Sequence, residues 1–429
     1  MNPSENASLN EKENGFSSPA TGFLFSRFSL LVVLAGLVLA AWYGQLVLVI
    51  LLALLLSAAG LSWLWSKSAL SGVTCQRQLS EHRLFPGEQT ELRLGLANRK
   101  LLPLPWIQID DEIPLPLSTE DALTPGIRPG YGLLSRAAAL LWYSAVNWKL
   151  RLTASRRGYY PVGPLTVTSG DIFGFYPRSR TVPLNEVVIV YPQLFPVAQF
   201  GIPSRHPLGE TVTERRLFED PLRVIGVRDY HPEDSRRRIH WKASARRQEL
   251  QVKTFEPTTT LKVVLFFAVD SFRARQGEEY NKNDFELGIS AAASIAQHLI
   301  TDKREAAGLF VNSRLADSGQ PARLAPGSSS RQLVEILEDL AKVTIMVSHP
   351  MDEFLEAVRG SLPWGSTLVF ILSSLSAELR NALLGLREAG QQVLVLQVGG
   401  RKRDGLTETI PWLKIKEPAD FRKVSVGQS

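Results

Sequence analysis

Between Arg27 and Lys67 the chain carries no charged residue: FSLLVVLAGLVLAAWYGQLVLVILLALLLSAAGLSWLWS fills the whole interval. Nothing else in the sequence restricts the fold as much, because an apolar run of this length must be kept from water along its entire course. One perpendicular bilayer crossing takes about 20 residues, so the run predicts two helices. Trp42-Tyr43-Gly44-Gln45 supplies a turn glycine, a polar residue and two aromatics that favour the membrane interface. Helices are therefore expected near 26–43 and 46–66, a transmembrane hairpin over 26–66, with Trp63 and Trp65 marking the second exit. Lys12, Arg27, Lys67 and Arg77 flank the hairpin and no basic residue lies in its turn, which by the positive-inside rule places both termini in the cytoplasm. A cleaved signal peptide would show a shorter apolar run, and a buried soluble hairpin more polar residues. Residues 1–25, rich in Ser, Asn and Glu, read as a disordered cytoplasmic tail.

The rest of the 429 residues is aqueous in character, with 21% charged residues and nine Trp, which excludes a wholly disordered chain, a collagen-like one and a polytopic transporter. A single cysteine, Cys75, rules out an intrachain disulfide and zinc sites built on two or more cysteines, and reads as a small buried hydrophobe suited to the reducing cytoplasm. From about 70 to 200 short β-like runs alternate with Pro and Gly: TELRLGLAN (90–98), WIQIDDEI (106–113), LLWYSAVNWKLRLTAS (140–155) and PLTVTS (164–169). This spacing predicts an all-β, sandwich-like module over 70–200, with 114–132, four prolines and three glycines, as a long surface loop. A connecting segment follows over 201–256.

After Pro257 the rhythm becomes alternately β and α. LKVVLFFAV (261–269), AAGLFVN (306–312), STLVFILS (366–373) and QQVLVLQV (391–398) read as strands buried on both faces, with helices over 284–300, 329–341 and 376–389. That pattern predicts an α/β domain over 257–420 on a doubly wound, mainly parallel, Rossmann-like sheet, whose ligands would sit beyond the strand carboxyl ends at Asp270-Ser271, Asn312-Ser313, Ser373-Ser374 and Gly399-Gly400.

No phosphate loop, zinc helix, nucleophile elbow or dinucleotide fingerprint is present, and the six histidines lack ligand-like spacing. The densest unusual stretch runs from Arg228 to Arg247. Between Ser235 and Arg247 six basic residues (Arg236, Arg237, Arg238, Lys242, Arg246, Arg247) occur without an acid, which equals the whole +6 formal charge of the chain, 48 Lys and Arg against 42 Asp and Glu. Asp234 is placed to cap a short helix. Crowded arginines repel unless each finds a carboxylate, a carbonyl, an aromatic face or an anionic partner; Asp229, Glu233, Asp234, Tyr230 and Trp241 are local candidates. Two readings follow: an interdomain clamp, or a partner-binding surface built on Arg228, Tyr230, Asp234, Arg236, Arg237, Arg238, Trp241, Lys242, Arg246 and Arg247.

The run GVRDYHPEDSRRRIHWKASARRQELQVKTFE (226–256) closely resembles the signature of the bacterial proteins called domain of unknown function 58: R-x-Y-x-P-G-D, then R-x-I-x-W-K-x-S-A-R, then L-x-V-x-x-F-E. RGYYPVGPLTVTSGDIFGF (157–175) and VIVYP (188–192) match its upstream segment, and Glu233 stands where the family usually has Gly. The resemblance implies an inner-membrane protein with a von Willebrand A-like domain, encoded beside a MoxR-type AAA+ ATPase and working with it on the assembly or regulation of other complexes. Such domains often bind a divalent metal through Asp-x-Ser-x-Ser. Here Asp270 and Ser271 survive as remnants, but Phe272 and Ala274 replace the serines and the later loop Ser373-Ser374-Leu375 lacks a carboxylate, so no metal is expected and Asp270 is assigned to capping the segment after it. No cofactor is expected. The function expected on these grounds is a non-enzymatic scaffold that binds protein partners, including an AAA+ ATPase. Two alternatives are binding of the basic segment to an anionic membrane surface or nucleic acid, which the interleaved acids disfavour, and metal-dependent ligand binding by the α/β domain.

Overall fold

A computed structural model describes residues 27–119, 121–183, 186–197, 219–231, 239–257, 261–273, 281–363, 365–399 and 410–422. The chain divides into two units, Met1–Val190 and Tyr191–Ser429.

The first unit begins with helices α1 (Arg27–Trp42) and α2 (Leu46–Ala69), joined through Gly44 at φ +65°, a left-handed turn that glycine adopts without strain. The 24 residues of α2 extend about 36 Å, more than the roughly 30 Å of bilayer hydrocarbon. The 16 described residues of α1 extend about 24 Å. Among the described residues α2 alone has the length and composition to cross a membrane.

Twelve strands follow: β1 (Val73–Leu79), β2 (Arg83–Leu84), β3 (Gln89–Asn98), β4 (Leu104–Pro114), β5 (Leu117–Thr119), β6 (Thr124–Pro125), β7 (Tyr131–Leu140), β8 (Ala145–Ala154), β9 (Gly158–Val162), β10 (Leu165–Ser169), β11 (Arg178–Val182) and β12 (Glu186–Val190). They form sheets ordered β1-β3-β8-β5, β11-β10-β4-β7-β6 and β2-β12-β9. Alternation sets the faces: in β3, Leu92, Leu94 and Leu96 point inward to join Ile107, Ile109, Leu134, Leu152, Leu165 and Val188 in one shared core. The expected run 140–155 is broken by a turn at 141–144, where Tyr143 takes φ +50°, and the expected loop 114–132 contains β5 and β6.

Arg77, counted among the hairpin's flanking charges, is instead buried. It points from β1 to Asp111 on β4 (2.8 Å), Glu186 on β12 (2.9 Å) and the Val162 carbonyl that ends β9 (3.0 Å), so one guanidinium ties three sheets. Cys75 lies two residues away, packed against the same core.

In the second unit β13 (Glu219–Asp229) and β14 (Gln251–Pro257) form an antiparallel ribbon with the short helix α3 (Trp241–Arg247) between them. Then come β15 (Lys262–Phe267), α4 (Lys282–Gln297), β16 (Ala306–Val311), β17 (Ser313–Leu315), β18 (Arg323–Gly327), α5 (Ser330–Lys342), β19 (Val343–Val347), α6 (Met351–Val358), β20 (Thr367–Leu372), α7 (Ala377–Glu388), β21 (Gln392–Val398) and β22 (Trp412–Ile415). A six-stranded sheet has the order β18-β16-β15-β20-β21-β22. Phe266 stacks between Phe310 and Phe370 on the face covered by α6 and α7, and Phe267 meets Phe285 of α4.

The fold class expected from the sequence is corrected here. A Rossmann-like, von Willebrand A-like domain on a mainly parallel sheet, expected after the two-helix hairpin and the sandwich, does not describe the molecule. Eleven of its sixteen described strand ladders are antiparallel, and the six-stranded sheet is mixed. The local reason is a connection length. A parallel neighbour needs a crossover of a dozen or more residues, usually helical, whereas β16 returns to β18 through β17 and a short turn. The hairpin likewise reduces to one helix of spanning length among the described residues.

Candidate functional site

The ribbon of β13 and β14 and its helix hold the signature residues. Val227 faces Lys253, Arg228 faces Val252 and Asp229 faces Gln251, while Ile239 bridges Val252 on the opposite edge. That bridge sets the entry to α3. His240 donates its amide to the Gln251 carbonyl (2.8 Å), and its ring Nδ1 accepts from the Ala243 amide (3.1 Å), so His240 is the N-cap of the helix. Asp234, expected as that cap, lies outside the described residues together with Arg236, Arg237 and Arg238, and the helix starts later than expected, at Trp241.

Ser244 and Gln251 lock helix to ribbon. The Ser244 hydroxyl donates to the His240 carbonyl (3.1 Å) and accepts from the Gln251 amide (2.9 Å), and the Gln251 side chain donates to Asp229 Oδ1 (2.6 Å). Gln251 is wholly buried and Ser244 nearly so. The motif therefore spends its small polar residues inward and presents its large ones outward. Trp241 is 70% exposed, Lys242, Arg246 and Arg247 are exposed on the same helix, and Arg228 is exposed on β13, with Tyr230 half-buried. Arg228 donates to the Asp229 carbonyl (3.1 Å). None of the ion pairs among the described residues involves Lys242, Arg246 or Arg247. The sequence marked these side chains; it did not mark Ser244 and Gln251, whose roles depend on a strand pairing that no local pattern announces.

At the strand carboxyl ends Asn312 organises a different kind of site. Its Oδ1 accepts from the Val269 amide (2.8 Å), and its Nδ2 donates to Asp270 Oδ1 (2.7 Å) and to the His349 carbonyl (3.0 Å). The second Asp270 oxygen accepts from the Met351 amide (3.1 Å). Asp270 thus caps α6, 81 residues on, rather than the segment that follows it. The Ser271 hydroxyl donates to Ala268 (2.6 Å) and accepts from the Ser373 amide (3.0 Å), and Ser374 donates to the Ser271 carbonyl (2.9 Å). Phe272, where the metal motif has serine, is buried against Phe267 and Phe285 in space left by Gly288, where a Cβ would stand 2.8 Å from the Phe272 ring. These residues do not fit a divalent cation, which needs carboxylate and hydroxyl oxygens free to face one point. No group of three or more His, Cys, Asp or Glu that could hold a metal occurs among the described residues.

The first unit also holds ionisable groups displaced by their surroundings. Burial pushes the Asp111 carboxyl up to about 6, against the pull of Arg77, and its Oδ2 has no hydrogen-bond partner. Burial, with the Asp111 charge nearby, likewise raises the Cys75 thiol to about 11.

Solved structures with a likeness to this chain include the CARDB domain of a Pyrococcus furiosus protein (14% identity, 28% of this chain and 86% of that one, TM-score 0.18) and a non-cellulosomal cohesin from Archaeoglobus fulgidus (11% identity, 27% and 91%, TM-score 0.19). The chain is 24% identical over 242 residues to the uncharacterized protein YeaD of Bacillus subtilis (strain 168), a match that covers 56% of each chain, so it spans little more than half the length of that relative. The end of β13, α3, β14 and most of the six-stranded sheet fall within residues 226–407, which match the family described as Protein of unknown function DUF58.

Proposed function

We propose that the protein is a membrane-anchored, non-enzymatic scaffold that docks a protein partner on the outward face of the ribbon and α3. Following the family resemblance, that partner is a MoxR-type AAA+ ATPase, and the task is assembly or regulation of other complexes. In this reading α2 anchors the chain in the inner membrane, and the strands of the first unit and the second unit face the cytoplasm.

One observation carries the proposal. The Ser244–Gln251–Asp229 lock ties α3 to the ribbon from behind, and Trp241 and the cations Lys242, Arg246 and Arg247 stand exposed on that support, the cations in no ion pair among the described residues. An exposed Trp among arginines suits an acidic protein surface, since Trp and Arg are the side chains that most often dominate interface energetics. The non-enzymatic part is supported by the strand ends, where Asp270, Ser271 and Asn312 are consumed by structural hydrogen bonds.

Capture of the ATPase encoded beside this chain, with full-length protein in detergent as bait, tests the reading. Lys242→Glu, Arg246→Glu and Arg247→Glu together are expected to weaken capture at least ~10-fold. Undiminished capture by a folded variant refutes docking at this face. If the triple variant instead loses only binding to anionic vesicles or DNA at low salt, the partner is a polyanion and not a protein.

A further inference from the structure

One end of the sandwich has its polarity inside out. The register brings the end of β3, the turn between β7 and β8 and the loop after β10 to the same end of the unit: Val73 faces Asn98, Leu104 faces Leu140 and Ile107 faces Ser169. Their backbones are held by buried polar side chains. Asn98 donates to the carbonyls of Leu102 (3.0 Å) and Leu141 (2.9 Å), and Asp171 accepts from the amides of Phe173 (3.0 Å) and Tyr176 (2.8 Å). Their tips are apolar. Leu101, Leu141, Trp142, Tyr143, Ile172 and Phe173 are each between 54% and 75% exposed. Water-facing loops ordinarily show the reverse arrangement, and a cluster of this size marks a surface that is covered in use.

The same end is where α2 joins the sandwich, and both sides of the cluster touch that helix. Lys100 donates to the carbonyls of Ser68 and Ala69, the last residues of α2, and accepts through its own carbonyl from the Tyr143 amide (3.3 Å). On the other side the Ser66 hydroxyl donates to the Tyr176 carbonyl (2.5 Å). Trp63, with the Lys67 ammonium 5.5 Å over its ring, lies one turn earlier, an aromatic and cation pair suited to the headgroup level.

We propose that this end of the sandwich is a membrane-seating surface: Leu101, Leu141, Trp142, Tyr143, Ile172 and Phe173 lie in the interfacial layer of the bilayer that α2 leaves. The occupant is the lipid interface rather than a protein because the cluster is continuous with the emerging end of an apolar helix of spanning length, and because Trp and Tyr side chains partition to that layer. Two contacts beside the helix fix the orientation of the sandwich on the membrane, where one flexible tether would leave it free to tumble. The inference rests on the reading of α2 as a membrane anchor.

The test uses the full-length chain reconstituted in lipid nanodiscs in a Cys75→Ala background, with a single spin label at each of four exposed positions. Leu54→Cys reports α2 itself, Trp142→Cys and Phe173→Cys report the two loops, and Ile127→Cys is the control. Ile127 is 90% exposed and equally apolar but lies beyond the opposite end of β7, about 33 Å away along the strand. The surface predicts that collision with oxygen rises and collision with an aqueous nickel chelate falls at 142 and 173, toward the values at 54, while 127 stays aqueous. Labels at 142 and 173 as chelate-accessible as 127, with 54 in lipid, overturn the seating surface and leave the anchor intact. A label at 54 that is itself aqueous removes the anchor and the surface with it. Protection of 142 and 173 from both collision agents indicates a protein cover, which also overturns the proposal.

Discussion

Positive side chains have opposite fates in two clusters of this chain. Arg77 is completely buried and meets two carboxylates and a carbonyl, so it acts as a bolt between sheets. Lys242, Arg246 and Arg247 stand exposed on a seven-residue helix that is locked from behind, so their charge is available to another molecule. The difference is one of backbone placement. An inward position on a core-facing strand forces a charge to find partners, because an unpaired buried charge is prohibitive, whereas the outer face of an exposed helix makes no such demand. Stability should therefore reside in the first cluster and recognition in the second.

That contrast can be broken most forcefully at Arg77. Arg77→Ala leaves Asp111 and Glu186 without their cation, and is expected to lower the stability of the first unit by ~3–5 kcal/mol, whereas Arg77→Met with Asp111→Leu is expected to recover most of the loss. Denaturant unfolding of the detergent-solubilised chain, followed through a probe in the first unit, measures both. A loss under about 1 kcal/mol in the single variant would mean that water reaches the pair.

At the strand ends, Asn312→Ala removes three hydrogen bonds and leaves a buried amide and one oxygen of Asp270 unsatisfied, for an expected loss of ~2–3 kcal/mol in the second unit. Ser244→Ala unlocks helix from ribbon at a cost of about 1–3 kcal/mol, read as faster amide exchange at Gln251 rather than as global unfolding. Unchanged exchange there means that the lock is not what holds α3.

The pH dependence follows from Asp111. Its folded value, about 6, lies above its ordinary 3.8, so the folded state binds the proton more tightly than the unfolded one. The stability due to that proton is fully present below about 3.8 and is lost as pH rises through about 6. Unfolding midpoints measured from pH 4 to 7 should fall along this limb in the wild type, and Asp111→Asn should flatten it. The smallest expected effect is the stability change in Trp241→Ala, within ~0.5 kcal/mol of wild type because the side chain packs on little.

Much of the fold was legible where one period dominated. The runs 261–269, 306–312, 366–373 and 391–398 all became strands because continuous β-branched and aromatic stretches bounded by turns suit little else. The whole-chain class was not legible, because pairing direction depends on what connects two strands, and the Asp317-Ser318-Gly319 and Pro321 signals at 316–322 mark a turn without giving the direction of β18 after it. In the candidate site, exposed Trp241 and its cations were visible as an unusual composition. His240 as a cap, Ser244 and Gln251 as a lock and Asn312 as a clasp were not, since each acts across 3 to 43 residues of chain that only the folded backbone brings together. Arg77 shows the same limit: beside an apolar hairpin it reads as a flanking charge, and only the Val73–Leu79 register turns it inward.

The central claim is that α3 is a recognition surface on a rigid support, and an affinity measurement tests it most directly. Binding of the proposed partner, a MoxR-type AAA+ ATPase, to the full-length chain in nanodiscs should weaken at least ~10-fold in Trp241→Ala, with unfolding unchanged, and stay at the wild-type value in Arg77→Met with Asp111→Leu. Equal affinity for wild type and Trp241→Ala would contradict the account.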